Sequence, residues 1–128
     1  ELPSKVEGYY SKLYSKTLAL ESLYAVKNFF IGKAFENDAL VGDSFQSYLT
    51  FLNAKKNDTN LSDLILSKLD TAISSVTELS DDFTSQINTD NNTMLLTFDR
   101  IQSVVILLKV DMLQTLNINV DYVDADGD

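Results

Sequence analysis

The sequence has no cysteine, no histidine and no tryptophan, and only one proline and four glycines. Without cysteine there is no disulfide framework, no thiolate nucleophile and no Cys-ligated zinc or iron–sulfur site. Without histidine there is no Ser-His-Asp triad, no imidazole-ligated metal and no side chain that ordinarily titrates near neutrality. Carboxylates, the ligands of calcium and magnesium, are all that is left for a metal. Basic residues are scarce as well: ten Lys and Arg stand against nineteen Asp and Glu, for a net charge of −9. Nucleic acids and anionic membrane surfaces both need cationic partners, so both are disfavoured. Long apolar runs are missing. The longest, Val104-Val105-Ile106-Leu107-Leu108, falls far short of the roughly 20 residues that span a bilayer. No basic segment followed by an apolar one marks a leader peptide. A chain that opens Glu1-Leu2-Pro3 reads as a processed protein or a piece of a longer one, and 128 residues suffice for one domain.

What the sequence does have is helical periodicity. Val6, Tyr10, Leu13, Thr17, Leu20 and Tyr24 recur in steps of three and four, which predicts a helix over 6–31 that stops at Gly32. A loop over 32–43 leads to Asp43-Ser44-Phe45-Gln46. This reads as a helix start, with Asp43 as the cap and Gln46 reaching back. Phe45, Tyr48, Leu49 and Leu52 give that short helix an apolar face, and Lys55-Lys56-Asn57-Asp58 ends it as a polar turn. Asn60 is expected to cap a third helix with the stripe Ile65, Leu69, Ala72, Ile73, Val76 and Leu79. A short turn or helix from Ser80-Asp81-Asp82 through Ile87 precedes a polar break over 88–92, with Thr89 or Asp90 as the next cap. The last helix carries Met94, Phe98, Ile101, Val105, Leu108 and Met112, spaced like the seam of an antiparallel bundle, and runs to about Leu116 with Asn117 closing it. Beyond it, Ile118-Asn119-Val120-Asp121-Tyr122-Val123 alternates as extended chain does. Together these patterns predict one all-α domain over 1–128: an antiparallel helical bundle of three long helices plus one or two short helices, with a short extended C-terminal segment.

Two stretches, 18–31 and 104–113, are apolar around more than one stripe. Such helices are either central or covered by another domain or chain. Lys109 and Asp111 lie about 200° apart around a helix, so each needs its own partner if buried, with Glu21 one candidate for Lys109. Arg100, the only arginine, can fork onto a carboxylate. Glu21, Arg100, Lys109 and Asp111 are therefore the candidate buried polar or interdomain residues, with structural ion pairing as the favoured role. No catalytic, cofactor-binding or metal-ligating residue is assigned. The terminal Asp124-Ala125-Asp126-Gly127-Asp128 places its glycine too early for an EF-hand loop and reads as an acidic tail. Asn57-Asp58-Thr59, Asn60-Leu61-Ser62 and Asn91-Asn92-Thr93 match the glycosylation sequon, in segments where Asn, Ser and Thr are simply common.

The stretch Phe98-Asp99-Arg100-Ile101-Gln102-Ser103-Val104-Val105-Ile106-Leu107-Leu108-Lys109-Val110-Asp111-Met112-Leu113-Gln114-Thr115-Leu116 is followed by the extended segment and a terminal Asp-Gly-Asp. It resembles the C-terminal end of the imelysin-like proteins, which often close with a Leu-Lys-x-Asp helix, a short strand entry and an acidic end. The run 9–30, then Ser44-Phe45-Gln46-Ser47-Tyr48-Leu49, then 61–79, follow in the order of the same half, so the resemblance covers nearly the whole chain. It implies the C-terminal bundle of a two-bundle bacterial cell-envelope protein, either periplasmic or an outer-membrane lipoprotein, associated with iron acquisition. The family's Gly-x-His-x-x-Glu motif, tied to its first description as a metallopeptidase, lies in the other bundle. With no histidine here, none of that motif's residues transfers and no enzymatic role is carried over. The resemblance thus implies a non-catalytic domain that supplies one wall of an interdomain site, with iron relevant only to the full-length protein. Its partner would be the N-terminal bundle, a partner chain or an envelope iron-uptake protein. The alternative is a free-standing helical protein–protein interaction module. A carboxylate-only metalloenzyme ranks third, because no acidic pair clusters on an apolar helix face.

Overall fold

The computed structural model describes residues 12–34, 37 and 41–119, and these are mostly helical. One 3-10 turn at Lys12–Tyr14 leads into α1, Ser15–Ile31. The short α2 spans Phe45–Phe51. An antiparallel ribbon of two short strands comes next, β1 at Lys55–Lys56 and β2 at Thr59–Asn60, pairing Lys55 with Asn60 and Lys56 with Thr59. Then come α3, Leu61–Glu78, and α4, Phe83–Ile106. The chain continues without a break through a π-helical stretch, Leu107–Met112, into a last turn, α5, Leu113–Thr115. The expected helix start over 6–11, most of the extended C-terminal segment and the acidic tail lie outside the described residues.

Three helices end the same way. At Gly32 (φ 71°), Asn53 (φ 50°) and Asn117 (φ 54°) the chain turns into the left-handed region. Two successive amides fold back on the last turn each time: Gly32 to Phe29 O at 3.2 Å and Lys33 to Asn28 O at 2.9 Å, and likewise Asn53 to Thr50 O and Ala54 to Leu49 O, both at 3.0 Å. At the C-terminal end Asn117 donates to Gln114 O at 3.1 Å and Ile118 to Leu113 O at 2.9 Å. This is the Schellman arrangement, which satisfies carbonyls that the helix itself leaves free. Gly32 and Asn117 stand where the sequence places them. Asn53 does the same work two residues before what reads as a polar turn.

The starts of α2, α3 and α4 are set by short polar side chains. Asn60 Oδ1 accepts from the amides of Ser62 (3.0 Å) and Asp63 (3.3 Å), as predicted for α3. Asp82 caps α4 through the amides of Thr84 and Ser85. At α2 the expectation of Asp43 and Gln46 is corrected by one residue. Ser44 is the extended residue before the helix, and Ser44 and Ser47 exchange side-chain-to-amide bonds at 3.1 and 3.0 Å. The expected break over 88–92 survives only as a kink. Asp90 alone leaves helical geometry (φ −151°, ψ 79°), and it recaps the remainder of the helix by accepting from Thr93 N. The polar turn after α2 is a hairpin tip: Asn57 and Asp58 both take positive φ (49° and 64°), as a two-residue turn between twisted strands requires.

The hub is α3. Leu61, Ile65, Leu69, Ala72 and Val76 are almost wholly buried, Ile73 and Leu79 nearly so, and α1, α2, α4 and the π stretch all pack against this helix. Of the two readings the sequence allows for α1 and the last helix, a central place or cover by another domain or chain, the first is corrected. Here each packs on α3 with one face and leaves its second apolar face in solvent. The predicted seam of the last helix is also corrected. Met94 and Met112 are buried, but their companions are Thr97, Val104 and Leu107. Ile101, Val105 and Leu108 are half-buried, and Phe98 is 45% exposed. The step of five from Leu107 to Met112 is what one i→i+5 turn absorbs. A search for steps of three and four cannot find it.

Candidate functional site

The four polar candidates do not converge. Glu21 and Lys109 are both exposed, on α1 and the π stretch, and no ion pair joins them. Asp111 is drawn elsewhere: the widened turn brings its carboxylate to the β-ribbon, where it accepts from Lys56 Nζ at 2.6 Å with 19% of its side chain exposed. Arg100, half-buried on α4, donates through Nη1 to Ser75 Oγ at 2.6 Å, and that hydroxyl donates onward to Thr71 O at 2.7 Å. The bond ties α4 to α3 beside an open polar groove that Ser67, Asp70, Ser74 and Glu78 also line. Lys27 pairs with Asp70, and Lys16 with Asp81 at 2.6 Å, both joining α1 to the α3 side of the molecule. These are partly exposed pairs, whose individual worth is small. Among the described residues, no three acidic side chains are grouped to hold a metal ion. Asp90 has its carboxyl pushed below the ordinary range, first by the hydroxyl of Thr93 and then by that residue's amide.

A continuous surface does emerge on the outside of α1 and α2. At 100° per residue, Leu18, Ser22, Ala25 and Phe29 point away from the core face marked by Leu23 and Phe30. All four are exposed and none is charged. At the C-terminal end of this stripe the Phe29 ring lies 5.6 Å from that of Phe45, tilted at 57°. One turn further along α2, Tyr48 and Phe51 stack at 6.4 Å and 11°. Phe29 is 73% and Phe51 82% exposed, so these rings stand in solvent instead of filling the core. The sequence held the signal for the stripe in the excess of apolar residues over 18–31. For the aromatic corner it held only four separated rings, brought together by the return of the chain at Gly32.

A different apolar hollow, of about 140 Å³, sits under the α4 kink between Leu79, Phe83, Met94 and Phe98. Among the described residues, no helix is long and apolar enough to cross a membrane. No family model, no curated protein and no solved structure matches the chain.

Proposed function

We propose that this chain is a non-catalytic helical domain that works by docking against a second helical unit, as the imelysin-like resemblance implies. On this reading it is an antiparallel bundle forming the C-terminal half of a two-bundle cell-envelope protein associated with iron acquisition. It supplies one wall of a site between the halves, and iron is cargo of the assembled protein.

The observation that carries the reading is the outward stripe of α1. A surface helix ordinarily turns charge to water. Leu18, Ser22, Ala25 and Phe29 instead repeat in steps of four, three and four with no charge among them. That is the spacing against which a facing helix packs its side chains, and an exposed apolar surface of this kind marks a partner.

Sedimentation velocity on an equimolar mixture with an imelysin-type N-terminal bundle, one that carries Gly-x-His-x-x-Glu, tests it. A one-to-one complex is expected. The double variant Leu18→Glu/Ala25→Glu should lose the complex while keeping its circular dichroism and melting temperature. Two separate monomers in the unmodified mixture would overturn the reading.

A further inference from the structure

We infer that the aromatic corner between α1 and α2 is a binding site for an alkylated ammonium group. Two clefts meet there. One, of about 360 Å³, is lined by Phe29, Asp43, Ser44, Phe45 and Tyr48. The other, of about 480 Å³, is lined by Asp43, Ser44, Ser47, Tyr48 and Phe51. Asp43, Ser44 and Tyr48 border both.

The chemistry selects the ligand. Aromatic faces carry negative potential and attract a cation within about 6 Å of the ring centre. A methylated ammonium brings its charge under an apolar skin, so it can lie against three rings without surrendering a tight hydration shell. A small hydrated metal ion cannot do the same. Asp43 supplies the full negative charge and forms no hydrogen bond or ion pair among the described residues. The hydroxyls of Ser44 and Ser47 are engaged in capping α2, so they do not compete for the carboxylate. An anionic ligand would meet both Asp43 and a chain of net charge −9.

The corner is also held in place by the backbone. Gly32 sits at φ 71°, and a Cβ there would lie 2.8 Å from Gly42 O and 2.9 Å from Ser44 Cβ. The Gly42 amide donates to Gly32 O at 2.9 Å. The return of the chain past Gly32 therefore pins Asp43 beside the end of α1 that carries Phe29. This inference goes beyond the docking proposal and does not depend on it.

The test compares choline with 3,3-dimethylbutan-1-ol, its neutral isostere, by NMR titration of the full chain. Choline should shift the resonances of Phe29, Phe45 and Tyr48 and bind about fivefold tighter than the alcohol. Asp43→Asn and Tyr48→Leu, the second keeping apolar bulk but losing the ring face, should each weaken choline by about fivefold with melting unchanged. Equal affinity for the alcohol, or no shifts with choline, would overturn the site. Co-sedimentation with phosphatidylcholine vesicles that Asp43→Asn abolishes would assign the ammonium to a lipid head group. Choline binding without co-sedimentation would assign it to a soluble compound.

Discussion

Asp90 shows how much a single short side chain decides. It is the one residue of α4 that leaves helical geometry, and its carboxylate accepts from the Thr93 hydroxyl at 2.5 Å and the Thr93 amide at 3.1 Å. Both bonds favour the ionised form, which is why the carboxyl titrates below the ordinary value. A carboxyl depressed in the folded state contributes stability above its unfolded pKa of about 3.9, and that contribution disappears as pH falls through the folded value. Asp90→Asn should therefore cap almost as well at neutral pH, since Asn and Asp rank together at this position. It should also flatten the acid-side loss of order in 90–106. The check is the pH dependence of the Thr93 amide shift in both proteins: a Thr93 titration that persists in the Asn variant would discount Asp90 as its source. At this scale the sequence is largely readable. Gly32, Asn60, Asp82, Asp90 and Asn117 act where their chemistry suggests. Asp43 and Ser44 are both good caps and adjacent, so composition cannot choose between them; the extended backbone at Ser44 does.

Elements are legible where one stripe meets one hub. The α3 pattern reads without error because every member of its stripe is buried and none requires a change of period, although Leu79 at its end joins a second, smaller cluster with Ile87 and Met94. The last helix misleads because its register changes inside it. A constant α period places Leu108 on the seam, whereas the π stretch puts Leu107 there, 5% exposed, and leaves Leu108 half-buried. The wide turn also aims Asp111 at the ribbon, where Lys56 meets it. A pair of truncations separates the two registers. Leu107→Ala should cost about 2–5 kcal/mol in urea unfolding, the range for a buried leucine. Leu108→Ala should cost distinctly less, because fewer of its atoms leave water on folding. The opposite order would mean that the helix keeps its α period through 107–112.

For the whole molecule, charge and apolar surface pull in opposite directions. The candidate site is only half visible in the sequence for this reason. The surplus of apolar residues on α1 can be counted, but their exposure cannot, because it depends on α3 taking the central place. The aromatic corner requires Phe29 and Phe45 to be joined by a return that no local pattern encodes. The resulting surface, with Leu18 at 41% and Phe29 at 73% exposure, would ordinarily promote self-association. A net charge of −9 opposes it, since two copies must bring like charges together. Repulsion between exposed charges is screened beyond about 10 Å at 0.1 M salt and beyond about 3 Å at 1 M, while apolar contact is not weakened by salt. Sedimentation equilibrium at neutral pH should thus find a monomer at low ionic strength and a growing dimer population toward 1 M sodium chloride, an increase of roughly tenfold or more in association constant. Leu18→Glu should remain monomeric throughout, because it places a charge in the middle of the stripe. A monomer that ignores salt would show that charge is not what keeps the stripe open. Dimerisation of the Leu18→Glu variant would place the contact on another face. If both results come out as expected, the acidity of the chain acts as a partner filter: it rejects a second copy and leaves the stripe to a helix that does not carry the same charge.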